Sequence, residues 1–186
     1  MLKFADEQAV ASLIDGIGAI EGRLDALICN AGFGIRKPIG ELSLAEWSSV
    51  LATNLTSTFL LARAAETMLR KSNGSIVTIA STRAHMSEPN TEAYSASKGG
   101  LVALTHALAI SLGPAVRVNC VSPGWIRTKG PESMAEEHAF HPAGRVGVPE
   151  DVAALVAFLV GPNAGFITGA EFVVDGGVTR KMIYPD

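Results

Sequence analysis

The sequence predicts an α/β fold: a partial, Rossmann-like parallel sheet of about four strands with flanking helices. Three observations carry this. Short runs rich in Ile and Val recur as "DALICN" (25–30), "SIVTIAS" (75–81), "VRVNCVS" (116–122) and "EFVVDGG" (171–177). The first three are apolar on both faces, as strands covered on both sides are. Helical patterns fill the intervals, at about 5–20, 43–71, 92–112 and 149–161. Strands alternating with helices in this way form right-handed βαβ units, so neighbouring strands run parallel.

Local signals justify the boundaries in turn. After the helix at 5–20, the strand 25–30 runs into Asn30-Ala31-Gly32-x-Gly34, which has the opening of a G-x-G-x-x-G phosphate loop, but Lys37 stands where the third glycine belongs. Ser43-Leu-Ala-Glu46 is a capping box that opens the long helix 43–71. Asn73-Gly74 ends it and turns into the second strand. Pro149 suits the first turn of the last helix by its fixed φ, and Glu150 and Asp151 suit the positive end of its dipole. Gly161-Pro162 stops that helix. The stretch 124–148 has mixed polarity and no period, and reads as a long loop or short helices covering a site above the sheet.

Composition bounds the function. The chain has 186 residues, 48% of them hydrophobic and 18% charged, which fits one globular domain over 1–186 rather than disorder. A net charge of −3 with scattered Lys and Arg gives no nucleic-acid surface. No run reaches the roughly 18 apolar residues of a membrane helix, and "MLKFADEQ" lacks the pattern of a signal peptide. The expectation is a cytoplasmic protein with no membrane partner, and the sequons at Asn54 and Asn73 then carry no weight. Cys29 and Cys120 are too far apart for a CxxC pair and sit in apolar runs, so they read as buried thiols.

Tyr94 and Lys98 stand at i and i+4 on one helix face. A cation beside a phenol favours phenolate, which draws the tyrosine pKa down from about 10 toward a range useful for proton transfer. Ser81 ends the second strand, at the sheet edge where α/β proteins bind ligands, and its hydroxyl can donate to a carbonyl oxygen. Asn54 lies inside a helical pattern where asparagine is a poor helix former, so it is either a solvent-facing residue or one with a specific bond to make. His85, four residues after Ser81, is near enough to touch substrate, and His106 reads as a packed or interface residue. His138 and His141 read as solvated loop histidines, because no carboxylate is spaced to complete a metal site with them. No metal site is expected.

With Asn30-Ala31-Gly32, Asn54, Ser81, Tyr94-x-x-x-Lys98, Pro123-Gly124 and Asp175-Gly176-Gly177 in order and register, the chain resembles the short-chain dehydrogenase/reductase family from end to end. The resemblance implies an NAD- or NADP-dependent enzyme that interconverts a carbonyl and a secondary alcohol. It makes Tyr94 the general acid/base, Ser81 the residue that holds the substrate oxygen, and Lys98 the cation that lowers Tyr94 and binds the nicotinamide ribose. Asn54 would anchor a water relaying protons through Lys98. Asn30, Ala31 and Gly32 would border the adenosine side of the cofactor. Pro123, Gly124, Ile126 and Thr128 would line the nicotinamide, the phosphates or the carboxamide. The resemblance also implies a homodimer or homotetramer built through helices 43–71 and 92–112.

The family's T-G-x-x-x-G-x-G segment is absent from the sequence, and Lys3 falls where relatives often carry an adenine-binding aspartate. The four strands would be the C-terminal part of a seven-stranded sheet ordered 3-2-1-4-5-6-7, leaving strand 25–30 at an edge. The expectation is therefore a truncated frame or miscalled start, with cofactor binding by the chain as given in doubt; the alternative is a non-catalytic interaction protein. A second rival, Ser95-Ala-Ser97-Lys98 as a penicillin-binding S-x-x-K nucleophile, lacks the S-D-N and K-T-G companions of that chemistry.

Overall fold

Asp6 accepts the backbone N–H groups of Gln8 and Ala9 and so starts α1 (Glu7–Glu21), which ends at Gly22 in the left-handed conformation. The structure is a computed structural model that describes residues 5–128, 130 and 134–182. Lys3, the position matched to an adenine-binding aspartate, lies outside them.

Strands β1 (Ala26–Cys29), β2 (Ser75–Ile79), β3 (Arg117–Pro123) and β4 (Glu171–Val174) form one parallel sheet in the order β1-β2-β3-β4. They are the four runs read from the sequence, each ending within a few residues of its expected bounds. Helices α3 (Ser57–Ser72) and α4 (Glu92–Leu112) cover one face of the sheet, and α6 (Pro149–Val160) covers the other. Side chains alternate accordingly. Ile76 and Val118 pack with Leu69, Ala109 and Leu112, whereas Val77 and Val121 pack with Leu159. Helix α1 closes the first layer through Ile14.

The capping signals hold. Ser43 and Glu46 form the reciprocal box at the start of α2 (Leu44–Leu51), and the Lys37 ammonium together with Ser43 holds the Glu46 carboxyl down at about 2. Asn73 ends α3 at φ 51°. Asp151 accepts the Val148 N–H at 2.8 Å behind Pro149.

One expectation needs correction. The long helix 43–71 is not one regular helix: residues Ala52–Thr56 form a π-helical segment between α2 and α3, with the Ser57 N–H reaching back to the Ala52 carbonyl. Ser57 Oγ donates to the Thr53 carbonyl at 2.5 Å within the widened turn. The stretch 124–148, read as a long loop or short helices, holds a short helix as that reading allowed, α5 (Ala135–Phe140), and an isolated parallel bridge between Ile126 and Gly147. Among the described residues β1 has a partner on one side only, and its Ile28 is 44% exposed, so the expected edge is present. No described helix is long and apolar enough to cross a membrane.

Leu69 is completely buried where α3 meets β2 and β3. Leu69→Ala is expected to cost about 2–5 kcal/mol in urea unfolding; a change below about 1 kcal/mol would show that this layer does not hold the sheet.

Candidate active site

A parallel sheet places all its strand C-termini on one edge. Here that edge gathers Asn30 after β1, Ala80-Ser81 after β2, Pro123-Gly124 at β3 and Asp175 after β4. Helix α4 crosses behind it and brings Tyr94 and Lys98. Asp175 accepts the N–H groups of Gly177 and Thr179, which closes the turn after β4. Gly124 must be glycine, because a Cβ there would lie 2.6 Å from Asp175 Cβ.

Lys98 is 4% exposed. Its Nζ donates to the Ile79 carbonyl at 2.7 Å and lies 5.4 Å from the centre of the Tyr94 ring. Burial lowers the ammonium to about 8, against a small opposing effect of the Cys120 thiol. Burial likewise pushes the Cys29 thiol up to about 11 and raises Cys120, so both remain neutral thiols, as expected.

Asn54 sits in the π-helical segment and is 1% exposed, which excludes the solvent-facing reading. Its Oδ1 accepts the Phe33 N–H at 3.0 Å, and its Nδ2 donates to the Phe33 carbonyl at 2.9 Å and to Ser97 Oγ at 2.9 Å. Ser97 Oγ in turn donates to the Tyr94 carbonyl at 2.7 Å. The glycines of the first loop permit this contact. A Cβ on Gly32 would stand 3.2 Å from Asn54 Oδ1 and 3.5 Å from Lys98 Nζ, and one on Gly34 would stand 3.1 Å from the Tyr94 ring. Gly32-x-Gly34 is therefore a close-approach loop against the candidate catalytic residues.

Two cavities meet at Ser81, Gly124 and Ile126. The larger, about 870 Å³, is lined also by Asn30, Gly32, Tyr94, Lys98, Pro123 and Thr128. Every residue expected to contact the cofactor is in that wall except Ala31, which is exposed beside it. An amide, an ammonium, three hydroxyls and backbone bare of side chains at Gly32 and Gly124 suit the ribose and carboxamide of a nicotinamide nucleotide. The smaller cavity, about 600 Å³, is lined by Arg36, Arg83, Trp125, Phe140 and His141, among others. Ser81 Oγ accepts the Arg83 N–H at 3.2 Å, which fixes the hydroxyl in the wall between the two spaces.

The histidines depart from expectation. His141 is 3% exposed rather than solvated, packed between Trp125, Phe140 and the glycine turn at Gly176. His138 is half-buried and accepts the Val146 N–H through Nδ1. His85 does not line either cavity but bonds Glu171 at 2.8 Å across to β4. His106 is exposed, which corrects the packed reading. Ser95 Oγ bonds the Thr91 and Ser87 hydroxyls while Lys98 bonds Ile79, an arrangement unlike a serine activated by lysine. Among the described residues no group of three or more His, Cys, Asp or Glu is placed to hold a metal.

Two contributors were missed in the sequence. The sequence marks Ser97 only as part of the rival S-x-x-K, although its place immediately before Lys98 on the inner face of α4 is a usable signal. The Ile79 carbonyl carries no signal at all, since it depends on where the strand ends.

From residue 3 to residue 179 the chain matches the family model described as Enoyl-(Acyl carrier protein) reductase. An uncharacterized oxidoreductase of Thermotoga maritima is 48% identical over 194 residues, covering 98% of this chain and 76% of that protein. An apo SCOR enzyme from Clostridium thermocellum superposes with a TM-score of 0.91 at 42% identity, over 98% of this chain and 73% of that one. The structure of ElxO with NADP bound superposes with a TM-score of 0.89 at 28% identity, over 97% of this chain and 77% of that one.

The buried lysine makes a pH prediction. Its folded value of about 8 lies below the usual lysine value of 10.5, so between those pH values the unfolded chain binds the extra proton and stability rises with pH. Below about pH 8 the folded protein carries the full cost of the buried charge. Lys98→Met removes that cost, so the stability of the variant relative to the parent is expected to fall by up to about 3 kcal/mol as pH rises from 7 to roughly 10.5 in urea unfolding. A difference independent of pH would contradict a depressed lysine.

Proposed function

Because this chain belongs to the short-chain dehydrogenase/reductase family of oxidoreductases, we propose that it interconverts a small-molecule carbonyl and a secondary alcohol, with NAD or NADP as hydride carrier. The observation that carries this reading is the wall between the two cavities, where Ser81 lies with Tyr94 and Lys98 on the side of the larger one. The bound nicotinamide supplies or accepts the hydride. Asn30, Gly32, Lys98, Pro123, Gly124, Ile126 and Thr128 would hold its nucleotide side, with Ala31 at the margin.

The remaining steps fall to the protein. Ser81 Oγ, held by the Arg83 N–H, donates to the substrate oxygen and orients it toward Tyr94. The Tyr94 hydroxyl gives its proton to that oxygen in reduction and takes it back in oxidation. The Lys98 ammonium, poised at about 8 by burial, stabilises the phenolate formed in reduction. Asn54 positions the others by tying the Phe33 backbone to Ser97 on α4. The comparisons favour this enzyme reading over a non-catalytic interaction protein. For assembly, α3 and α4 present Phe59 and Ile110, which are 43% and 85% exposed, as the surface through which a homodimer or homotetramer would form.

Tyr94→Phe is expected to lower turnover about a hundredfold or more in an assay at millimolar NAD(P)H, with the circular dichroism unchanged; near-normal turnover would remove the acid/base role. The sequence contains no T-G-x-x-x-G-x-G segment to grip the pyrophosphate, so we propose that these 186 residues bind NAD(P)H only in the millimolar range. Fluorescence titration reads this directly, and a micromolar Kd would show that another part of the chain holds the phosphates.

A further inference from the structure

Among the described residues each lysine or arginine that forms an ion pair has a carboxylate to itself, with one exception. Glu88 serves two cations: its Oε2 pairs with Arg36 and its Oε1 with Arg83 Nη2 at 2.5 Å. One positive charge of this trio is therefore left without a counter-ion. Arg36 holds it outward, with 62% of its side chain exposed against 26% for Arg83.

The surplus charge lies beside the candidate reacting groups. A further cavity of about 360 Å³ shares Ser81 and Gly124 with the two described above and has Gly34, Arg36, Arg83 and Tyr94 in its wall. None of its described lining residues carries a carboxylate. Asp175 lines the adjoining 600 Å³ space, but its carboxylate is taken up by the N–H groups of Gly177 and Thr179. Arg36 lines both of these spaces and not the larger cavity proposed for the nicotinamide, so its charge belongs to the substrate side. The backbone keeps it there. Asn54 bonds Phe33 before it, and the Lys37 N–H after it donates to the Asn90 carbonyl at 3.3 Å. Lys37 adds no surplus of its own, because Glu46 pairs with it at 2.6 Å.

A guanidinium presents five N–H donors in a planar fork, more than one carboxylate oxygen can occupy. The remaining edge matches a second carboxylate through charge-assisted bonds. We propose that the substrate is a small hydroxy acid, or the oxo acid formed from it, whose carboxylate is bound by Arg36. It rests on the reading that the reacting oxygen lies at Ser81 and Tyr94. Oxidation sends the hydride to NAD or NADP and the alcohol proton to Tyr94, and leaves the carboxylate unchanged. Arg83 holds Glu88 and Glu88 holds Arg36, so the fork is oriented before the acid arrives. An uncharged alcohol gains nothing from the surplus cation.

The test compares acids with uncharged counterparts: gluconate, which has hydroxyls at every distance from its carboxylate, with sorbitol, and 3-hydroxybutyrate with 2-butanol. In calorimetric titrations with millimolar NAD and NADP present, the acid of at least one pair is expected to bind about tenfold or more tightly than its counterpart. Arg36→Gln is expected to weaken that acid about tenfold to a hundredfold and leave the uncharged alcohol unaffected, with part of the preference kept in Arg36→Lys. No preference for the acid in either pair overturns the proposal using the unaltered protein alone, and so does a preference that survives Arg36→Gln. Stronger competition against the acid from inorganic phosphate than from acetate would assign the fork to a phosphate group and overturn it as well. Turnover separates the two readings. Oxidation of acid and uncharged alcohol with equal kcat/KM in both parent and Arg36→Gln would overturn the acid site and leave the oxidoreductase reading intact. Acid bound through Arg36 without NAD(P)-linked turnover of any alcohol would support the acid site and count against that reading of Ser81 and Tyr94.

Discussion

The bond from the Lys98 ammonium to the Ile79 carbonyl is the constraint on which the site depends. Ile79 is the last residue of β2 and stands two positions before Ser81, while Lys98 stands one helical turn after Tyr94. That single contact therefore fixes where α4 meets the sheet edge, and with it the approach of a phenol and a hydroxyl that are thirteen positions apart in sequence. A buried ammonium with a neutral acceptor is expensive, and its lowered pKa is the measure of that cost. The neighbouring Cys120 thiol offsets only the lesser part of it, because burial raises that thiol. Stability is thus reduced where a cation is placed beside the Tyr94 ring, in keeping with the strained electrostatics of functional sites.

Asn54 extends the constraint to the far side of the site. An asparagine inside a long helix could bond its own backbone, but the π-helical segment widens the turn so that the side chain instead bonds both backbone groups of Phe33 and the hydroxyl of Ser97. Helix, loop and second helix are locked through one amide. Only a loop without side chains can come this close, which is the physical reason for Gly32 and Gly34. The first loop thus lends its backbone to the assembly, and its likeness to a phosphate fingerprint is superficial.

The sheet and the Tyr94–Lys98 pair of the candidate site were legible in the sequence because their signals are local: apolar runs for the strands, a capping box at Ser43, a left-handed Asn73, and a spacing that places both residues on one helix face. What escaped depends on partners distant in sequence. The π-helical turn goes with a bond to residue 33, twenty-one positions away. His141 is buried because Trp125, Phe140 and the turn at Gly176 converge on it, and nothing in its immediate neighbours reports that. His85 was close to Ser81 in sequence, but a carboxylate on β4 holds it elsewhere. Proximity along the chain misjudged both histidines, in opposite directions.

Polar satisfaction divides the strand-end region into two parts. On the side of Tyr94, the side-chain polar atoms of Lys98, Asn54 and Ser97 are engaged with fixed protein partners, so the groups proposed to move protons and stabilise charge are organised before any ligand arrives. On the side of Arg83 and His141, the fixed partners stop one atom short on each residue. Ser81 lies on the boundary, holding one bond from the Arg83 backbone while its own hydroxyl proton has only a long 3.5 Å contact to Pro123. A long contact is readily exchanged for a better acceptor. The hydroxyl is therefore oriented by the Arg83 backbone with its proton free for a better acceptor, as the proposed role of holding a reacting oxygen between two cavities requires.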